Sequence, residues 1–397
     1  MNWLSTPEFR LVFGLVCAVI VFFGVCLACV PLYHARNGPA QQPAGWPGKQ
    51  NSNYDADQCK RKSLKDYMSV NKIPDTTPMN QLSVATASFG GIYTEDNTGL
   101  NPWLGTVDPN AAQSQVEAGA RAFVVDIWPD PNTRAPVVCS MIDNQSTPQS
   151  RWINWGLGKG VGGRYSNWHK VTRNMAPASS ILQAALKAAF MSGTGTQNED
   201  PFFLILRIHG SMSVDYLNNL GDIVRDAVGG RAMGAEWNRC MNQKSICTAP
   251  ISQFMSRVFL LVLPDIATNA YAAFTQKFLG SRLGEITNAV EQIPNTMYFD
   301  PNNISTISAP SQPPCIQSAI TIQQSLAQTG FCVVQPSTGQ STLNKDLYAS
   351  PSYADCLASG AQFVAVNLFS TDSPDSNSVL GTFFDAGHYG SYSFRKI

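Results

Sequence analysis

Near neutral pH the side chain best suited to moving protons is histidine, and this chain has four: His34, His169, His209 and His388. His34 comes directly after a long apolar run, a place beside a membrane rather than in a catalytic centre. His209 stands two residues beyond Arg207 in Pro201-Phe-Phe-Leu-Ile-Leu-Arg-Ile-His-Gly-Ser211. Residues i and i+2 of a strand share a face, so Arg207 and His209 are offered together on one side of that segment. Asp126 is the single acidic residue of a second apolar run, Ala122–Trp128. A hydrogen-bonded structural role is the expectation for His209, and His388 reaches a site only if tertiary folding brings it there.

A third chemical feature is the stretch Arg151 to Arg173, with five Lys/Arg, three Trp, one Tyr and no acidic residue. Its Trp152, Trp155, Lys159, Arg164, Trp168 and Lys170 suit an anionic lipid headgroup, a glycan or a protein partner. A loop merely anchored by tryptophan into the fold explains the same residues. The GLGKGVGG run within it is not a phosphate loop, because the spacing and the residue after Lys are wrong.

Seven cysteines lie beyond the apolar run, and none forms a zinc-type pair. Cys240 with Cys247, and Cys315 with Cys332, are spaced to close short disulfide loops in an oxidising compartment. The odd number leaves at least one unpaired. No metal site is expected. Lys+Arg and Asp+Glu number 27 each, and only 14% of residues are charged while 44% are hydrophobic. Such balance excludes a protein built to coat nucleic acid and a disordered polyelectrolyte. It suits an extracytoplasmic or virion-type surface.

The elements that must position these groups follow from patterning. Leu11 to Val30 is unbroken apolar sequence; twenty residues at about 1.5 Å each match the hydrocarbon thickness of a bilayer. A cleaved signal has a shorter core of about 7–15 residues. The expectation is a tail at 1–10, a single transmembrane helix at 11–30, a Pro/Gly-rich linker at 31–58 and a folded domain at 59–397. Flanking charges are too even to orient the span. Sequons at Asn144 and Asn303 favour a lumenal or extracellular domain, or one on a viral membrane.

Within the domain, continuous apolar strands are expected at Val84–Phe89, Ala122–Trp128, Pro136–Ile142, Phe202–Gly210, Arg257–Pro264, Thr296–Asp300, Phe331–Pro336 and Phe363–Phe369. Helical patterns lie at Ser179–Met191, Val214–Val228, Tyr271–Glu291, Ser318–Ala327 and Ser352–Ser359. Strands without polar alternation, separated by helices, imply a parallel sheet covered on both faces. Eight of them predict an α/β protein of the (β/α)8 TIM-type barrel class, with a doubly wound open sheet as the other arrangement. The basic aromatic loop would then leave the third strand on the active-site side.

Four segments, in order, resemble the phosphoinositide-specific phospholipase C-like phosphodiesterase family. Gly119-Ala-Arg-Ala-Phe-Val-Val-Asp-Ile-Trp128, with Pro136-Val-Val behind it, resembles a Gly-x-Arg-x-x-Glu-x-Asp-x-Trp strand leading to Pro-Val-Val-Tyr-His-Gly. Pro201–Ser211 is similar to Pro-Val-Ile-Leu-Ser-Leu-Glu-Asn-His-Cys-Ser. Val333-Val-Gln-Pro336 is weakly similar to an Arg-x-Tyr-Pro strand. Gly360-Ala-Gln-Phe-Val-Ala-Val-Asn367, with Phe383–Gly387 and Tyr392–Arg395 after it, resembles the last barrel strand and terminus.

The resemblance implies a TIM barrel whose reaction uses two histidines, as base and acid, with calcium or an arginine on the phosphate. It places Ala87 and Ser140 at the histidine positions, Ser88 at an asparagine, Val124 and Arg207 at glutamates, and apolar Leu261–Pro264 where phosphate-binding lysines belong. Asp126 alone remains of the oxygen ligands, so no cofactor is expected. Arg207 then pairs with Asp126 in the cation's place, or Asp126 caps the barrel end while Arg207 is solvated at the mouth. The expected function is a membrane-anchored, catalytically inactive barrel used for binding or assembly, even a virion membrane component. An anionic headgroup or a protein is its expected partner at the mouth. The alternative is an active phosphodiesterase on phosphoinositides or glycerophosphodiesters with rearranged catalytic residues.

Overall fold

Runs of Val, Ile, Leu and Phe without polar alternation must be covered on both faces, and this chain covers them by curling one sheet into a ring. The computed structural model describes residues 62–94, 105–143, 168–170, 172–190, 199–210, 213–238, 246, 249–265, 271–291, 303–309, 331–336, 361–368 and 392–396. By internal contacts the chain forms two units, Met1–Gln41 with Gly99–Asn101 and Gln42–Thr98 with Pro102–Ile397. Every described residue belongs to the second. Among the described residues no helix is long and apolar enough to cross a membrane; the run at 11–30 lies outside them.

The ring consists of β1 (Leu82–Ala87), β2 (Ala122–Pro129), β3 (Phe202–His209), β4 (Val258–Asp265), β5 (Ala289–Glu291), β6 (Asn303–Ala309), β7 (Phe331–Pro336) and β8 (Phe363–Val366). Each pairs in parallel with the next, and β8 pairs in parallel with β1. An open sheet would leave two edges; the β1–β2 and β1–β8 ladders close this one into an α/β barrel. Before β1 lies α1 (Leu64–Val70); after it come α2 (Pro109–Glu117), α3 (Ala178–Phe190), α4 (Val214–Val228), α5 (Tyr271–Leu279) and α6 (Arg282–Ile286). Local chemistry starts and stops them. Ser213 Oγ accepts the Tyr216 amide at the head of α4, whose buried Leu217, Leu220, Val224 and Val228 repeat at helical spacing.

The structure corrects two expected elements and the place of one loop. The helix expected over Tyr271–Glu291 is α5, α6 and then strand β5, because Gly280 and Ser281 interrupt it. Ser281 Oγ accepts the Gly284 amide and starts a new helix. Pro136–Ile142 is not a barrel strand: Pro136–Val138 runs antiparallel to β2, and Met141–Asp143 pairs with Trp168–Lys170 in a separate hairpin. Only a short turn joins β2 to Pro136, held by Asp130 Oδ1 accepting the Asn132 and Thr133 amides. A parallel crossover needs a dozen or more residues. The basic aromatic loop therefore lies between the second and third barrel strands, not after a third strand at 136–142. Strands β5 and β6 supply two of the eight places; Thr296–Asp300, Ser318–Ala327 and Ser352–Ser359 lie outside the described residues.

Inside, the barrel is filled from the floor upward. Phe203, Phe259, Phe331 and Phe363 pack ring on ring, with Phe203 and Phe259 stacked at 4.5 Å. Val124, Ile205, Leu261 and Val333 belong to the same apolar cluster, and the Val124↔Ile205↔Leu261 register sets them one layer above. Leu64, Met68, Ile73 and Met79 close the floor from α1 and the segment after it. A short strand, Phe394–Lys396, runs antiparallel to the start of β1 and adds Phe394 to that plug. Beneath it Asp200 Oδ1 accepts the Leu64 amide at 2.8 Å, and Asp200 Oδ2 lies 3.9 Å from Arg121 Nε. Burial pushes the Asp200 carboxyl above its ordinary value, and Arg121 offsets only part of that.

Candidate functional site

At the opposite end the filling turns charged. The ladder sets Asp126 of β2 directly beside Arg207 of β3, and the two-residue alternation puts His209 one step nearer the rim on the same face. Arg207 forks onto Asp126: its Nε donates to Oδ1 and its terminal nitrogen to Oδ2 at 2.7 Å. His209 Nε2 lies 2.8 Å from the same Oδ1. Trp128, next inward residue on β2, stacks on the His209 ring at 4.1 Å and 3°. Asp126 is 3% exposed and His209 5%.

The electrostatics decide the protonation. Burial opposes the charge on Asp126, yet the Arg207 guanidinium and the His209 hydrogen bond outweigh it and hold the carboxyl well below the usual carboxylate range. An ionised carboxylate only accepts, so His209 carries its proton on Nε2 and donates. Both Asp126 oxygens are thereby occupied by cationic or N–H donors.

Other predicted positions fall less simply. Val124 and Leu263 point into the barrel as buried apolar groups flanking this cluster. Ala87, at the position of the first family histidine, packs instead in the layer between sheet and helices. Alternation leaves Thr86 and Ser88 toward the axis, and the Ser88 hydroxyl is buried with no hydrogen-bond partner among the described residues. Ser140 is buried just beyond the strand Pro136–Val138. Neither Ala87 nor Ser140 titrates near neutrality.

The turn after β1 is stapled down. Gln115 of α2 accepts the Gly91 amide at 2.9 Å and donates to the Ser88 and Phe89 carbonyls. Phe89 and Gly91 have φ of 51° and 78°. A Cβ on Gly90 would stand 2.7 Å from the Val124 carbonyl oxygen, so this turn lies flat on β2. Sequence reading missed Gln115, since a glutamine on an amphipathic helix gives no sign that it is buried.

Trp168 and Lys170 lie in the strand Trp168–Lys170, paired with Met141–Asp143. Trp152, Trp155, Lys159, Arg164, Asn144, Cys240, Cys247, Cys315, His34 and His388 lie outside the described residues. Asn303 opens β6 and Cys332 lies in β7.

A calcium site of the kind the resemblance implies does not fit these residues. A hard cation needs several free oxygens; here Asp126 is consumed by Arg207 and His209. Among the described residues no group of three or more His, Cys, Asp or Glu could hold a metal ion.

No protein-family model matches the sequence, and no curated protein does. Among solved structures, S. officinalis PLC21 is 10% identical with a TM-score of 0.47, covering 76% of this chain and 35% of its own. This chain likewise spans 35% of L. pealei PLC21. A calcium-dependent phosphoinositol-specific phospholipase C from Pseudomonas sp. is 10% identical over 81% of this chain and 95% of its own, TM-score 0.45. A Ca2+-dependent phosphatidylinositol-specific enzyme from Streptomyces antibioticus is 11% identical over 74% and 96%, TM-score 0.42. The α/β-barrel class of this chain rests on its own closed ring of parallel ladders.

Proposed function

We propose that this is a membrane-anchored barrel of the phospholipase C type that has given up phosphodiester turnover and serves binding or assembly. The observation that carries the reading is the forked Arg207–Asp126 pair at the mouth. A guanidinium there supplies fixed positive charge without the exchangeable coordination that a metal-assisted phosphodiesterase needs. Where the reaction wants an acid and a base, Ala87 and Ser140 offer neither, and general acid–base catalysis is worth about 10²–10⁴-fold. The apolar run at 11–30 provides the anchor, and the mouth, with its basic aromatic loop, meets an anionic headgroup or a protein partner. A structural place in a virion membrane belongs to the same reading, tested by stoichiometric recovery of the chain in membrane-bounded particles.

The full chain, purified and incubated with phosphatidylinositol and with glycerophosphodiesters, is expected to release headgroup at the background rate. Turnover that disappears in D126N, R207M or H209F would overturn the reading and identify a rewired phosphodiesterase. Residual activity indifferent to all three belongs to a contaminant.

A further inference from the structure

Resting on the reading of residues 11–30 as an anchor, we propose that the barrel floor, opposite the mouth, is a contact surface for anionic lipid headgroups. The floor is made by two segments held together, 62–81 and 392–396. Lys62 forms a bridge to Tyr392 and sets its ammonium 5.7 Å above that ring. Tyr67 meets Tyr392 edge to face at 5.1 Å, and the Lys396 amide donates to the Tyr67 hydroxyl at 2.8 Å. Two basic segments are therefore fixed side by side.

The charge on them is lopsided. Lys62, Lys65, Lys72, Arg395 and Lys396 are exposed, against two exposed carboxylates, Asp66 and Asp75. In a chain with equal numbers of both signs, five cations to two anions is a local departure. Asp66 is further committed, since the Ser63 amide and hydroxyl both donate to its Oδ2. Val70, the last residue of α1, is 69% exposed and lies in sequence between Lys65 and Lys72. An apolar tip among cations suits the boundary between headgroups and acyl chains.

Each cation near an anionic surface strengthens contact about fivefold, through attraction that salt screens. The test reconstitutes the full chain into vesicles of phosphatidylcholine, alone or with phosphatidylserine. A membrane-impermeant acetylating reagent is added, and labelling of Lys62, Lys65, Lys72 and Lys396 is read by mass spectrometry. The expected result is labelling at least about fivefold slower with phosphatidylserine, restored by high salt. Equal rates in the two vesicles, or protection that survives high salt, overturns the proposal and leaves an acidic protein as the floor's partner. Alkaline carbonate extraction separates the two readings. A chain that leaves the vesicles defeats the anchor, while labelling beside added phosphatidylserine vesicles still decides the floor.

Discussion

Replacing Arg207 by methionine removes the guanidinium while keeping much of its volume, and leaves Asp126 ionised, 3% exposed and short of two donors. Breaking a buried ion pair in this way costs about 3–5 kcal/mol. His209 still donates to Oδ1, a bond to a charged group worth about 1.5–3 kcal/mol, so the low end, about 3 kcal/mol, is expected. In urea, with a slope near the top of about 1–3 kcal/mol per M, the midpoint falls by about 1 M. The double variant D126N/R207M removes both charges and is expected within about 1 kcal/mol of the native chain. The pH dependence carries a sign. In the native chain the Asp126 carboxyl is depressed below its ordinary 3.8, so its contribution is full above that pH and fades below it. Without Arg207, the charge and hydrogen bonds that lower the carboxyl are lost while burial still raises it, so it titrates above the native one and R207M gains stability relative to the native chain as pH falls. The gap between native and R207M thus narrows in acid. A gap under about 1 kcal/mol at neutral pH, or one that widens on acidification, would refute the argument that Asp126 needs its arginine.

Three further outcomes follow from other contacts. Asp200 is raised above 3.8 by burial, with Arg121 only partly compensating, so its charged form weakens the fold and the chain gains stability as pH falls toward 3.8; D200N is expected to lose that part of the slope, measured by urea midpoints across the window. G90A forces a methyl to within 2.7 Å of the Val124 carbonyl and is expected to cost about 1–3 kcal/mol by overpacking, read as a lower melting temperature. Q115L leaves the buried Gly91 amide without its acceptor, costing about 1–3 kcal/mol, with faster hydrogen exchange at Gly91 as the specific readout.

What the mouth holds follows from strand geometry. On β2 and β3 the inward positions are set by alternation alone, so any residue there reaches the mouth. Val124 and Leu263 are apolar there, and Arg207 pairs with the Asp126 carboxylate. The stacked Trp128–His209 pair then packs the cluster from above.

Much of the barrel was readable along the chain. Six of its strands coincide with apolar runs, because a strand buried on both faces must be apolar at every position. The sharing of a face by Arg207 and His209 followed from the same local geometry. Folding in three dimensions decided the rest. Ala289–Glu291 is too short to leave a pattern, and it is a strand because β4 and β6 offer it hydrogen bonds. Pro136–Val138 reads like any barrel strand until the Asp130 turn sends it back against β2. Whether Arg207 would meet Asp126 or stand solvated depended on register, and register depends on ring closure, a relation between residues 81 positions apart. Local pattern follows from neighbours in sequence; partners across a closed sheet follow only from the shear that lets its first and last strands meet.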